Sequence, residues 1–103
     1  MRVGEAVVGS RRAEVCIVVT REFEDAQHIA DRFRADIPVI ANMQSCEAGL
    51  ATRLIDFCSG LTYALDGGLQ RIDDRVFLLA PRNVELSSDG TDEFLEKGFV
   101  NQV

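Results

Sequence analysis

The sequence has few of the residues on which metal sites and disulfide scaffolds depend. Its 103 residues include no tryptophan, one histidine and three cysteines. Because His28 is the only histidine, one chain cannot assemble a multi-histidine metal site. The cysteines, Cys16, Cys46 and Cys58, are an odd number at wide spacings without a C-x-x-C pair, which suits a reducing cytoplasm. We therefore expect a cytoplasmic protein with no metal and no cofactor.

Long apolar runs and clusters of positive charge are also missing. No segment approaches the roughly 18 to 20 apolar residues that a transmembrane helix needs. Residues 1–10 are too short and too interrupted by glycine for a signal peptide. Lysine occurs once, and 17 acidic against 11 basic residues give a net charge of -6. A chain of this charge repels polyanions, so we expect no nucleic-acid partner.

The composition that is present, 47% hydrophobic and 27% charged residues, is that of one folded domain. Residues 13–20 (AEVCIVVT) are continuously apolar and rich in β-branched side chains, which predicts a central strand buried on both faces. Apolar residues then recur at helical spacing, which predicts an amphipathic helix from Glu22 to Ala35. Residues 37–43 (IPVIANM) predict a second strand.

A longer second helix is predicted over 46–65, with Ser45 as its N-cap and residues 66–68 (DGG) at its end. Its apolar stripe comprises Leu50, Leu54, Cys58, Leu61 and Leu65. Further apolar and small residues, Ala51, Ile55 and Thr62, widen this stripe beyond what one sheet face requires. We therefore expect a homodimer, whose interface includes Leu50, Leu54, Ile55, Cys58 and Leu61.

After this helix the pattern changes to short strands. Residues 69–72 and 75–80 flank two aspartates, which predicts a hairpin, and residues 83–86 suggest a short final strand. This order predicts an α/β (α+β) fold, a two-layer sandwich with two helices packed on one mixed four- to five-stranded sheet. The predicted divisions are a flexible segment over 1–12, a core domain over 13–87, and a flexible or marginally helical tail over 88–103.

No set of residues stands out as catalytic. His28 falls on the polar face of the first helix, where a solvated histidine is expected. Cys46 lies at a helix N-terminus, which can activate a thiol, but no base accompanies it locally. The sequence therefore predicts that the protein is not an enzyme. The alternative is an enzyme that uses Cys46 or the aspartates, whose activity would disappear in Cys46→Ser or Asp56→Asn.

One segment combines positive charge with apolar surface in this acidic chain. Arg71, Phe77 and Leu79 lie close together in sequence, which indicates a surface that could dock a peptide. An equal alternative is that Phe77 belongs to the core. A two-residue turn at Asp73 and Asp74 would point Arg71 and Phe77 to opposite faces. They would share a site only through a bulge, a wrapped edge or a second subunit.

Four blocks of sequence occur in a specific order along the chain. They are residues 23–31 (FEDAQHIAD), 38–44 (PVIANMQ), 50–72 (LATRLIDFCSGLTYALDGGLQRI) and 75–87 (RVFLLAPRNVELS). These blocks resemble the core domain of the SepF family of cell division proteins. The resemblance implies a non-enzymatic adaptor at the division septum, whose dimer receives the C-terminal tail of FtsZ in a groove between subunits and organises or tethers FtsZ filaments.

The resemblance also implies which residues bind the tail. Arg71 and Phe77 match family positions associated with tail binding, and the helix over 50–65 shapes the groove. We expect Leu61, Leu65 and Leu79 to supply further apolar contact. Dimers of such a protein could also assemble into higher polymers.

Full-length members of the family carry an N-terminal amphipathic membrane helix and a long linker, which residues 1–12 do not resemble. We therefore expect no direct membrane binding by this chain, whose negative charge also opposes anionic lipid. A different class of function stays open: a small α/β dimer that binds a small molecule at its interface. Thermal stabilisation by metabolites would indicate that function.

Overall fold

The computed structural model describes residues 2–8 and 11–82, with side chains from Glu14 onward. Its elements, in chain order, are β1 (Arg2–Val8), β2 (Arg11–Val19), α1 (Asp25–Arg34), β3 (Val39–Asn42), α2 (Ala48–Ala64), β4 (Gly68–Asp73) and β5 (Val76–Ala80). The strand predicted over 83–86 and the tail predicted over 88–103 lie outside the described residues.

The described strands form one mixed sheet in the order β1-β2-β3-β5-β4. β2 and β3 run parallel, and α1 makes the crossover that a parallel pair requires. The other neighbouring pairs are antiparallel. β2 therefore has a strand on each side, as its apolar run predicts. The predicted two-layer α/β fold is confirmed.

The N-terminal residues differ from the prediction of a flexible segment over 1–12. β1 pairs with β2 along its whole length, from Arg2 opposite Ile17 to Val8 opposite Arg11. The signal for this hairpin is the Gly9-Ser10 dipeptide between two β-rich runs, a residue pair typical of two-residue connections. Residues 2–8 thus belong to the sheet as an edge strand.

Both helices pack on the same face of the sheet. α1 contributes Ala26, Ile29 and Phe33 to a buried cluster, and α2 contributes Ala51, Leu54 and Cys58. The sheet contributes Cys16, Val18, Val39, Ala41 and Leu79 to the same cluster, which we call the helix-side core. Alternate residues of the same strands, Val15, Ile17, Ile40, Val76 and Leu78, form a second buried cluster. The period of two in β-strands produces these two clusters, since successive side chains point to opposite faces.

The start of α1 is held by a carboxylate. Oδ2 of Asp25 accepts hydrogen bonds from the backbone N–H groups of Arg21 at 2.9 Å and Glu22 at 3.1 Å. Burial alone would raise the pKa of Asp25, but these hydrogen bonds, together with the nearby charges of His28 and Arg21, lower it below its ordinary value. The charged form of Asp25 therefore stabilises the turn that leads into the helix.

The cap of α2 differs from the prediction. Glu47, rather than Ser45, occupies the N-cap position, and its Oε1 accepts from the backbone N–H of Gly49 at 3.0 Å. The hydroxyl of Ser45 is buried and has no hydrogen-bond partner. The helix starts later than predicted because the chain first turns at Cys46, whose N–H donates to the carbonyl of Met43.

The end of α2 is set by close packing as well as by backbone conformation. Asp66, not a glycine, adopts the left-handed conformation with φ of 57°. The N–H of Gly67 then donates to the carbonyl of Thr62 at 2.8 Å, as in a helix C-terminal cap. A Cβ atom at Gly67 would lie 2.5 Å from Cζ of Phe33. The glycine is therefore required here by the approach of α1.

Candidate functional site

The hairpin of β4 and β5 places Arg71 directly opposite Phe77. The turn is formed at Asp74 and Arg75 rather than at the two aspartates, with Arg75 at φ of 55°. A bulge between Arg71 and Asp73 shifts the register by a further residue. Because directly opposed residues share a face of the sheet, Arg71 and Phe77 point the same way. The bulge, one of the three arrangements that would let Arg71 and Phe77 share a site, therefore places both side chains on one face.

Arg71 is an exposed cation whose partners among the described residues are local. Its Nη2 lies 3.2 Å from Oδ1 of Asp74, and its Nε donates to the carbonyl of Asp73 at 3.3 Å. The side chains of Arg71 and Asp74 are 64% and 80% exposed. Exposed ion pairs of this kind contribute about 0 to 1 kcal/mol. Arg71 can therefore exchange the Asp74 carboxylate for that of a ligand at little cost.

Phe77 is half-buried and packs against the edge of the helix-side core. α2 lies across this part of the sheet and contacts both β4 and β5. Leu69, the β4 residue that opposes Leu79, also packs against the core while keeping part of its surface exposed. Phe77 therefore packs on the core and also keeps accessible surface. This placement is compatible with both sequence-based alternatives, a core residue and a peptide-docking residue.

The other residues expected to contact a peptide divide into two groups. Leu61 is half-buried against the core, and Leu65 is 39% exposed at the end of α2. Leu79 is fully buried in the single chain, with 0% of its surface exposed, on the core-facing side of an interior strand. Peptide contact at Leu79 stays a prediction.

Leu65 lines a cleft where the C-terminal ends of the two helices meet. The cleft has a volume of about 320 Å³. Its apolar lining comes from Phe33, Ala64, Leu65 and Pro81, and its charged rim from Arg34, Asp36, Asp66 and Arg82. It lies beside the residues where α2 passes into β4, so it adjoins the first residues of the edge strand.

The residues expected at a dimer interface fall into a fully buried group and a half-buried group. Leu54 and Cys58 have 0% of their surface exposed and face the sheet. The sheet covers their stripe in the single chain, and contact of these two residues with a second subunit stays a prediction. Leu50, Ile55 and Leu61 are half-buried and keep accessible surface along the flanks of α2.

Aromatic residues on α2 and next to it were not among the predicted site residues. Tyr63 is 87% exposed on the outer surface of the helix. Phe57 makes an edge-to-face contact with Phe23, with ring centroids 6.3 Å apart, and Cζ of Arg53 lies 4.4 Å from the Phe23 centroid. The sequence signal for Tyr63 is an aromatic residue between Leu61 and Leu65 that helical spacing places outside the apolar stripe, on the side facing solvent.

A small network fixes the hairpin turn to the loop before α2. Nη1 of Arg75 donates to the carbonyl of Cys46 at 2.9 Å, and the carbonyl of Arg75 accepts from the N–H of Met43 at 2.7 Å. Nε2 of Gln44 donates to the carbonyl of Asp74 at 3.0 Å. These bonds hold the Asp74–Arg75 turn in place, and with it Asp74, the ion-pair partner of Arg71.

The three cysteines are buried and the histidine is exposed. Burial raises the pKa of Cys58 to about 12, and it also raises that of Cys16 against the opposing effect of Arg32. The buried thiol of Cys46 donates to the carbonyl of Thr20 at 3.1 Å. His28 is exposed on α1. Within the described ranges, no group of three or more His, Cys, Asp or Glu residues is placed to hold a metal ion, and no helix is long and apolar enough to cross a membrane.

Comparison with known proteins relates this chain to one family. The family model described as "Cell division protein SepF" matches residues 15–86. The chain is 47% identical over 98 residues to the cell division protein SepF of Rubrobacter xylanophilus, covering 95% of this chain and 53% of that protein. It is 44% identical over 89 residues to that of Desulfitobacterium hafniense, covering 86% and 59%.

A solved structure shares the fold at low sequence identity. The SepF-like protein from Pyrococcus furiosus superimposes with a TM-score of 0.62 at 14% identity, covering 71% of this chain and 92% of that one. The chain spans a little over half the length of the two curated relatives, 53% and 59%. With the family model matching most of the chain and the relatives aligning over nearly all of it, the chain belongs to the SepF family of cell division proteins.

Proposed function

We propose that this chain is a division adaptor that acts as a dimer and binds the C-terminal tail of FtsZ. Its work is to organise or tether FtsZ filaments, with recruitment from the cytoplasm to the division septum and without catalysis. The observation that carries the proposal is the cross-strand pair of Arg71 and Phe77, which combines an exposed cation with an apolar ring on one face of the hairpin.

This pair has the chemistry that a short acidic and apolar peptide requires. The guanidinium of Arg71 can donate two parallel hydrogen bonds to a carboxylate, while Phe77 offers an apolar contact beside it. The chain as a whole carries a net charge of -6, which repels an acidic peptide. Arg71 is therefore well placed to determine where such a peptide settles.

The second subunit is proposed to pack against the outer surface of α2. Leu50, Ile55 and Leu61 keep part of their apolar surface accessible along the flanks of this helix, and Tyr63 is exposed on it. Closed two-fold pairs are the commonest assemblies of soluble proteins. Since α2 also contacts β4 and β5, a subunit on α2 would form one wall of a groove next to the Arg71 and Phe77 pair.

A binding titration with the C-terminal FtsZ peptide of the same organism tests the proposal. Calorimetry should show saturable binding by the parent chain and weaker binding by Arg71→Glu, with the difference reduced at high salt. Arg21→Glu is the matched control: it makes the same charge change at an exposed arginine outside the hairpin, in the loop before α1. Equal weakening by the two variants would reduce the effect to net charge and contradict a site at Arg71.

The apolar part of the site needs a variant that remains folded. Phe77→Ala should weaken binding by about 1 to 3 kcal/mol if the ring anchors the peptide. Because Phe77 also packs on the core, Phe77→Leu, which keeps most of the volume, is measured beside it, and thermal unfolding reports stability for both. A folded Arg71→Glu, Phe77→Ala double variant with unchanged affinity would remove the site assignment.

A further inference from the structure

Among the described strands, β4 lies at an edge of the sheet and has one neighbour. In the sheet order it pairs only with β5, and no further described strand lies beyond it. Gly68, Gln70 and Arg71 are exposed along it. An edge strand presents a row of backbone N–H and C=O groups that a further strand can bind. This edge is therefore a candidate surface for a chain in extended conformation.

The first part of this edge is regular. From Gly68 to Arg71, each residue of β4 opposes one residue of β5, and the bulge interrupts the ladder only after Arg71. Four residues at about 3.3 Å each give a regular edge of about 13 Å. The segment contains no proline, which would remove a backbone donor. Its length suits a short peptide.

The side chains beside the edge provide specificity at alternate positions. Leu69 and Arg71 lie two residues apart and so point to the same face, the face on which α2 packs. Before Leu69, the chain adjoins the cleft that Leu65 and Pro81 line. An added strand would thus pass an apolar surface at one end and an exposed cation at the other.

Resting on the proposed function, we propose that the acidic and apolar tail peptide binds as an additional strand along the β4 edge. Its backbone pairs with Gly68–Arg71, an apolar side chain lies near Leu65, and a carboxylate two or four residues away replaces Asp74 at Arg71. The backbone ladder supplies affinity, and the alternate side chains select the sequence and the direction of the peptide.

A second copy of the chain is a poorer occupant of this edge. Stable protein interfaces bury at least about 1,000 Å² in total. The regular ladder ends after four residues at the bulge, so edge pairing alone offers a second subunit little area. The exposed charge of Arg71 at the end of the ladder also favours an acidic partner over a neutral edge.

Single N-methylation along the tail peptide tests this binding mode. In a strand, every second amide faces the neighbouring strand, and methylation there removes a hydrogen bond and adds a clash. We expect methylation at alternate residues to weaken binding at least about tenfold and methylation at the intervening residues to change it little, a pattern with a period of two. Binding without this period, or with uniform losses, would overturn strand addition while leaving the proposed function intact. Absence of binding by the unmodified peptide would overturn both.

Amide hydrogen exchange of the protein supplies the second readout. Peptide binding should slow exchange at one or two outward-facing amides within Gly68–Arg71 and leave those of β1, the opposite edge, unchanged. If the β4 amides exchange slowly without peptide, and more slowly at higher protein concentration, the edge belongs to a second copy of the chain and the proposal is refuted. Peptide binding with no change at β4 would refute it equally.

Discussion

Gly67 lies where the end of α2 passes into β4, and replacing it tests how tightly the two helices are packed there. A Cβ atom at this position would lie 2.5 Å from Cζ of Phe33 and 2.6 Å from the carbonyl oxygen of Ala80. Phe33 is 2% exposed, and the second obstacle is backbone. Neither can move aside by a simple change of rotamer. Gly67→Ala must therefore displace α1, β5 or both.

We expect Gly67→Ala to lower the free energy of unfolding by about 1 to 3 kcal/mol, the usual cost of overpacking. For a domain of this size, each kcal/mol corresponds to a fall in Tm of about 4 to 8 °C. Urea unfolding at one protein concentration measures the change, and an unaltered m-value would show that the native state stays compact.

Gly60→Ala provides the matched control. A Cβ atom at Gly60 has nothing within 4 Å, and the residue lies inside α2. The same substitution should therefore raise stability by about 0.5 to 1 kcal/mol through helix propensity. If Gly67→Ala were as stable as the parent, or if both variants changed stability in the same direction, the close packing argument at Gly67 would be refuted.

Three further results are expected. Asp74→Asn should strengthen binding of an acidic peptide about two- to fivefold at low salt, because it removes the carboxylate that occupies Arg71; weaker binding in calorimetry would contradict this. Asp25→Ala should lose about 1 kcal/mol at pH 7. The pKa of Asp25 is lowered in the folded state, so its carboxylate stabilises the fold above the ordinary pKa of 3.8, and this stabilisation is lost as the pH falls through the folded pKa. In urea unfolding, the difference in free energy of unfolding between the parent and Asp25→Ala should therefore shrink at lower pH. Leu54→Ala should cost about 2 to 5 kcal/mol, whereas Tyr63→Ala should stay within about 0.5 kcal/mol; similar losses would contradict their different burial.

From β2 to β5, the order of helices and strands could be predicted because each of these elements has a clear period or a dense apolar run, whereas β1 falls in the segment expected to be flexible. The role of the α2 stripe could not. Helical spacing shows that Leu54 and Cys58 share a face with Leu50, but not whether a sheet or a second subunit covers it. The sheet covers Leu54 and Cys58 completely, while Leu50 keeps part of its surface.

Two further differences from the prediction, the position of the hairpin turn and the N-cap of α2, arise from local turns. Asp73, Asp74 and Arg75 offer two overlapping turns, and nothing in their residue types selects the one at Asp74 and Arg75. That turn is held by the hydrogen bond that the Arg75 side chain donates to the carbonyl of Cys46 in the loop before α2, a tertiary contact without a sequence pattern. Similarly, Ser45 is the better N-cap by residue type, but the position of the Met43–Cys46 turn gives the cap to Glu47.

The local partners of Arg71 limit what this residue can add to peptide binding. In the free protein its guanidinium already interacts with Asp74 and with the carbonyl of Asp73. Binding a peptide carboxylate therefore exchanges one exposed ion pair for another, which yields little net free energy in water. The affinity must come instead from apolar contact at Phe77 and Leu65 and from backbone pairing. Arg71 then acts mainly to select the peptide register, since a carboxylate placed elsewhere along the edge would meet the negative charge of the chain without compensation.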